Sequence, residues 1–501
     1  MSTIKQMKNT IKNLETNMKH LFRIIFCCCS WFLAIAQTTT FERKTDVAAQ
    51  LIRKLYNEQK TDSIYALTDT SFRKKIKLSV LENALTMQLY PYGKISQLDF
   101  VKSKDSVNIY KAMLGKSVVM NLLVGLAKDG RVSTFGMQPY KAEIKDSDKR
   151  KNYYHDNAML SHIDSLVHQY AAAFMETSKS PGLSLGILIG TKSYFYNYGD
   201  AVKNSEIHPT RNTVFEIGSI TKTFTAYLLA DAVVKNKINL EDAITKYLPD
   251  SVAANTGLQK ITIAQLSNHT SSLPRLAGNA FANVKNMADP YADYDDALLF
   301  SYLKEYKANG KPGEKYEYSN LAVGLLGVIL ERVNNMPLEE QYRQIIFGPL
   351  KMKSSYSAAI KDSSVTALGY DANGKQTNYW NFKSMAGCGA IKSTTEDLVR
   401  YAVPFALMPM TKGKYDARTM LVQTITYNSP AAKTSLGWHF DTDDKTLFTM
   451  WHNGGTGGFR SYIGIRPGKR LAIVALTNSA EDPGTDVIAN KIMIELGKEI
   501  E

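Results

Sequence analysis

Ser219 and Lys222 stand three residues apart between a strand-like stretch, Thr213 to Gly218, and an apolar helical run, Phe224 to Val234. At that spacing on a helix the two side chains share one face, so the lysine amine can reach the serine hydroxyl and serve nucleophilic catalysis. A serine at a helix start also presents its own N–H, and the positive end of the helix dipole, to an anion forming on an attacked carbonyl. Gly218 leaves room for close approach. The spacing alone is weak, because Ser2/Lys5, Ser71/Lys74 and Ser301/Lys304 share it, and an isolated match reads as a capping serine beside an exposed lysine.

Ser219 differs from those serines in the motifs that lie downstream of it. Tyr318-Ser319-Asn320 comes after a Lys311-Pro312-Gly313-Glu314 turn and before an apolar helix, Leu321 to Val333, and His452-Asn453-Gly454-Gly455 closes a predicted strand. Tyr379-Trp380-Asn381 repeats the tyrosine-x-asparagine pattern without such flanks. Free tyrosine and lysine titrate near ~10 and ~10.4. A buried lysine beside a tyrosine hydroxyl either favours the phenolate or sheds its own proton, so one of the two accepts the serine proton. Which of Lys222 and Tyr318 does so stays open.

Four stretches together resemble the class C β-lactamase and DD-peptidase superfamily: Phe215 to Lys222, Ser267-Asn268-His269-Thr270-Ser271-Ser272-Leu273-Pro274, Tyr318-Ser319-Asn320, and His452 to Phe459. Gly387 to Leu398 and Leu476-Thr477-Asn478 fit its later segments, so the likeness runs from about residue 155 to 500. It implies a serine hydrolase with Ser219 as nucleophile and Lys222 and Tyr318 as the proton-handling pair. Asn320 would orient Lys222 and the substrate amide. The strand of His452 would wall the cleft, with Gly454 and Gly455 letting a substrate lie along its edge and the Gly455 N–H joining that of Ser219 as an oxyanion donor. The substrate implied is a D-Ala-D-Ala-type wall peptide or a β-lactam, with a carboxylesterase or a slowly deacylating penicillin receptor as alternatives.

The sequence departs from the β-lactamase pattern at His452, where lysine is usual; histidine is more typical of the DD-peptidases and esterases. With an ordinary pKa near ~6.5, a histidine on a cleft edge should make the charge there depend on pH. His269 reads as a structural residue before Leu273-Pro274, and Cys388 as a small buried one. No cofactor or metal is expected, since no His-Glu-x-x-His or cysteine cluster occurs.

These residues need a scaffold, and its elements are legible at both ends of the later chain. A helix stripe of Ile163, Val167, Tyr170 and Phe174 precedes a hairpin turning at Gly190-Thr191-Lys192. Strands over 437–441, 446–451, 461–466 and 471–476 precede a last helix bearing Val487, Ile488, Ile492 and Leu496. Sheet at both ends around a mostly helical middle, about 219 to 410, predicts an α+β fold: one antiparallel sheet flanked by helices, an inserted all-α subdomain, and a cleft between them.

Upstream, a helix with Val47, Leu51 and Leu55 on its apolar face, a second around Val80, Leu81, Leu85 and Leu89, and four strand-like runs between 95 and 136 predict a small α+β domain over 37–137. Their order is loosely similar to the accessory domains related to nuclear transport factor 2. Residues 138–155 read as a charged linker to the hydrolase domain, 156–501.

Lys19, His20 and Arg23 before the apolar run Ile24 to Leu33, then Ala34-Ile35-Ala36, read as an export signal over 1–36, with 1–17 a possible upstream extension and Gln37 the first mature residue. The run is too short to span a bilayer, so a periplasmic or secreted protein with no stable membrane insertion after cleavage is expected. Cleavage would leave Cys388 as the sole cysteine and lower the formal charge from +14 to +10. A basic surface suits an anionic wall polymer or, more simply, is a lysine-rich solvated face with no partner, while the expected export signal and the lack of a clustered basic motif disfavour nucleic acid. Composition leaves the oligomeric state open.

Overall fold

In the computed structural model the described residues are 44–500, apart from 91–92, 116–117, 140–149, 282, 309, 361–364, 408–415, 430–431, 445–446 and 481–484. The expected export signal therefore lies outside them. The chain divides into two compact units, Met1–Glu143 and Ile144–Glu501.

In the first unit, helices α1 (44–57), α2 (Thr61–Ala66), α3 (Thr70–Lys75) and α4 (Leu78–Asn83), the last running into a π turn, come before a four-stranded antiparallel sheet. Its strands, β1 (Ile95–Lys104), β2 (Val107–Leu114), β3 (Val118–Leu126) and β4 (Val132–Pro139), lie in chain order. The core face of α1 differs from the predicted one. Ala49, Ile52 and Tyr56 are buried with Ile64, Phe72 and Leu85, whereas Val47 is 70% exposed and Leu51 is also at the surface. Both stripes have helical spacing, so periodicity alone could not choose between them.

Residues 138 and 139, expected to begin a linker, finish β4, and residues 150–155 pack on the second unit. There Arg150 Nη1 donates to the carbonyls of Ser180 and Pro181 at 3.1 and 3.2 Å, and the Gly199 N–H donates to Tyr154 O at 2.8 Å.

The second unit opens with α5 (His162–Thr177), started by a Ser161/Asp164 capping box. An eight-stranded antiparallel sheet begins with β5 (Gly182–Ile189) and β6 (Lys192–Gly199), and a short ladder of β7 (Phe215–Glu216) and β8 (Lys392–Ser393) lies apart from it. The remaining strands of the large sheet are β9 (Tyr427–Asn428), β10 (Lys433–Thr434), β11 (His439–Asp444), β12 (Leu447–Gly455), β13 (Arg460–Arg466) and β14 (Leu471–Thr477). Their spatial order is β6-β5-β14-β13-β12-β11-β10-β9, so the two ends of the unit meet at β5 and β14.

Alternation along β5 sends Leu183, Leu185 and Ile187 into one core, shared with Val167, Ala171 and Met175 of α5 and with Ile488, Ile492 and Leu496 near the C-terminus. The opposite face, at Gly186 and Leu188, meets the helical side of the unit.

Between β7 and β8 the chain is helical: α6 (Thr221–Val234), α7 (Asp250–Ala253), α8 (Ile263–Ser267), α9 (Asp296–Glu305), α10 (Asn320–Asn334), α11 (Leu338–Tyr342) and α12 (Ala386–Gly389). After β8 come α13 (Thr395–Leu407) and α14 (Ala417–Gln423), and after β14 comes α15 (Thr485–Glu499). Helix α6 is buried around most of its circumference, which marks it as the pillar of the larger core. Its polar side chains are satisfied inside that core: Thr223 Oγ1 donates to Ile220 O at 2.8 Å and Thr225 Oγ1 to Gly387 O at 2.7 Å.

Candidate active site

Ser219 sits in a 3₁₀ turn, Gly218–Ile220, that feeds directly into α6. The sequence places Lys222 on that helix one turn later, and its fully buried ammonium donates to Ser219 Oγ at 3.0 Å and to Cys388 O at 2.6 Å. Cys388 thus enters the site through its backbone, which no side-chain pattern could reveal. Ser219 itself is partly exposed.

The turn is pressed against the end of β12. Gly218 has a positive φ of 49°, and a Cβ there would lie 2.7 Å from the Gly455 nitrogen; a Cβ on Gly454 would lie 2.0 Å from Ile217 O. Only glycine permits both approaches, and together they seat the Gly455 backbone against the turn that carries Ser219. Ser461 Oγ, donating to Ile217 O at 2.8 Å, holds the same seam from β13. The pairing of β11 with β12 stops at His439 and Trp451, so on that side the edge over His452 to Gly455 has no strand partner among the described residues. The predicted strand over 446–451 extends through these residues.

Tyr318 precedes α10, whose N-cap Ser319 accepts from the Ala322 N–H at 2.9 Å. Lys222 Nζ lies 5.0 Å from the centre of the Tyr318 ring, and the His269 ring 4.3 Å from it. His269 is tied to this motif rather than only to its own loop: Nδ1 accepts from the Ser319 N–H at 3.1 Å. Asn320 Oδ1 is buried without a hydrogen-bond partner among the described residues.

His452 is only 1% exposed, not on an open edge as predicted, and its ring is 5.0 Å from that of His439 and 6.3 Å from Tyr318. Burial pushes the pKa of His452 well below its usual value, helped by His439 and Lys222. His269 is lowered well below in the same way, and His439 falls to about 4, with burial the main cause and the Lys222 charge the second. All three rings are therefore neutral at neutral pH. Nδ1 of His452 faces Asn453 O at 2.6 Å and must carry the hydrogen, which leaves Nε2 as a buried acceptor without a partner among the described residues.

Sequence reasoning missed His439, because its neighbours come from β12 and the segment leading into α10, and no spacing announces them. It also missed Glu216, a buried carboxyl that accepts from the Trp380 N–H at 2.6 Å and from Thr456 Oγ1 at 2.7 Å. Burial raises its pKa to about 7 against the pull of Lys392. Its share of stability is full below the ordinary carboxyl range and is lost as pH rises through about 7. The second tyrosine-x-asparagine match is held in this framework: Asn381 Nδ2 donates to Asp289 Oδ2 at 2.7 Å. Tyr379-Trp380-Asn381 is thus packed into this framework, whereas the Tyr318 ring lies beside Lys222.

A serine bonded to a buried lysine, a tyrosine ring beside that lysine and a glycine-edged strand seated against the serine's turn are the parts a serine hydrolase needs. The Beta-lactamase family model matches residues 167–498, and the chain belongs to that family. It is 26% identical to a β-lactamase of Lysobacter lactamgenus over 64% of this chain and 87% of that protein. It is also 26% identical to the D-alanyl-D-alanine-carboxypeptidase/endopeptidase AmpH of Escherichia coli, over 63% of this chain and 84% of the other. A crystal structure of a β-lactamase/D-alanine carboxypeptidase from Pseudomonas syringae superposes with a TM-score of 0.59 at 26% identity, covering 67% of this chain and 99% of that one. The family match begins after the first unit.

Proposed function

We propose that this β-lactamase/DD-peptidase-like serine hydrolase forms an acyl-enzyme through Ser219 on D-Ala-D-Ala-type wall peptides, and reacts with β-lactams at the same serine. The 3.0 Å contact from Lys222 Nζ to Ser219 Oγ carries this reading. Ser219 Oγ bonds to the scissile carbonyl carbon while its proton passes to the Lys222/Tyr318 pair. The N–H groups of Ser219 and Gly455 stabilise the oxyanion. The carbon–nitrogen bond then breaks, the proton goes to the leaving amine, and water hydrolyses the ester. The unpaired edge at His452 to Gly455 supports binding of an extended peptide.

A carboxylesterase with the same machinery is the second reading, favoured by the neutral histidines where a cation would hold a carboxylate. The test is turnover and intact-mass labelling of the full mature chain with a fluorescent penicillin, a D-Ala-D-Ala peptide and a p-nitrophenyl ester. Release of D-Ala with labelling at Ser219 is expected. Ester turnover alone would favour the esterase, and a persistent penicilloyl adduct without peptide release would favour a receptor.

The protein is further proposed to act outside the cytoplasm, on the support of the basic, apolar and Ala-x-Ala segments of residues 1–36. N-terminal sequencing of the envelope form should begin at Gln37; an intact Met1 or Met18 would overturn export by cleavage.

A further inference from the structure

The site's histidines are neutral and its buried lysine is committed to Ser219 and Cys388, yet one cation beside Tyr318 has no anionic partner among the described residues. Arg275 comes directly after Leu273-Pro274, and its Cζ lies 5.1 Å from the centre of the Tyr318 ring. Its backbone is fixed to the motif it overhangs: Arg275 O accepts from the N–H groups of Asn320 at 3.0 Å and Leu321 at 3.2 Å, and Pro274 O accepts from Ser319 Oγ at 2.7 Å. The side chain is exposed, and its guanidinium has no carboxylate or hydrogen-bond partner among the described residues. By contrast Arg460, near Gly455, spends Nη1 on the carbonyls of Thr456 and Phe459, both at 3.1 Å.

Resting on the hydrolase reading above, we propose that Arg275 is a specificity-determining residue that binds a carboxylate of the acyl donor close to the scissile carbonyl. A guanidinium held against an aromatic ring keeps its N–H edge free, and that edge matches a carboxylate with two parallel hydrogen bonds. The Tyr318 ring sets the place, since the same ring lies 5.0 Å from Lys222 Nζ and so beside Ser219. The charge of Arg275 is also felt within the site, where it acts on His269, Tyr291, Tyr316 and Cys388. Anion recognition, which His452 cannot supply as a neutral acceptor, thereby falls to the segment locked onto α10.

The test is competition against Ser219 labelling by a neutral fluorophosphonate, using a D-Ala-D-Ala peptide with a free C-terminus and the same peptide as its methyl ester. In the wild type the free acid should compete better. Arg275→Gln should remove that advantage, weakening the acid by roughly 10- to 100-fold, the range for a charge-assisted hydrogen bond. The ester should change less than about 2-fold, Arg275→Lys should retain part of the advantage, and the melting temperature should hold because the side chain is exposed. No acid advantage in the wild type, an advantage that survives in Arg275→Gln, or equal losses for acid and ester would each overturn the proposal while labelling persists. Absence of labelling in the wild type would instead overturn the hydrolase reading, and the proposal with it.

Discussion

Ser219→Ala is expected to abolish covalent labelling and to lower turnover of every substrate by roughly ten-thousand-fold or more, the scale set by removing a catalytic nucleophile. The fold should survive. Ser219 is partly exposed in a short turn, and its hydroxyl contacts Lys222, which keeps its 2.6 Å bond to Cys388 O when the hydroxyl is gone. The stability cost should stay near the ~1 kcal/mol of one lost hydrogen bond. Intact-mass analysis after incubation with a fluorescent penicillin, beside a thermal melt, reads both. A variant still labelled at stoichiometric level would place the nucleophile elsewhere, and an unfolded one would make Ser219 structural.

His452→Lys should be costly for a reason the sequence did not contain. An open cleft edge would accept a lysine with little effect on stability, but His452 is buried against His439 and within reach of the Lys222 charge. A second ammonium there meets like charge without a carboxylate partner, a situation worth about 3 kcal/mol of destabilisation. The melting temperature should therefore fall, and kcat/KM with it, for peptide and ester alike. The pH profile is equally diagnostic. Because the His452 pKa is depressed, the ring stays neutral across the neutral and mildly alkaline range, so any inflection there belongs to other groups, Glu216 first, and should persist in His452→Gln.

The histidines speak instead at acid pH. A depressed pKa means that stability is intact above the ordinary value of ~6.5 and drains away as pH falls toward the folded value, about 4 for His439. Melting temperatures of wild type and His452→Lys from acid to mildly alkaline pH test both statements. An unchanged melting temperature in the lysine variant, or a wild-type inflection near ~6.5 that vanishes in His452→Gln, would return His452 to the surface titration expected of an open edge.

What the sequence made legible was local. Ser219 and Lys222 are neighbours by helical spacing, and the hairpin at Gly190 and the strand over 471–476 arise from alternation and turn chemistry. What it concealed depends on distant partners. Val47 and Leu51 have the spacing of a buried stripe, yet Ala49, Ile52 and Tyr56 offer a competing one, and the sheet selects it. The burial of His452 comes from β11, and the clamp at Glu216 from Thr456 and the Trp380 backbone, neither of which has a sequence signature.

The meeting of β5 with β14 has a consequence for how the protein is made. Gly182 and Asn478 are joined by a hydrogen bond across 296 positions, so the strand at the middle of this union waits for nearly the whole unit to be synthesised before its partner exists. Loop closure of that length is slow relative to local helix formation. The nascent chain thus carries the β5–β6 hairpin, with α5 on one face, before its β14 neighbour exists, a state open to aggregation.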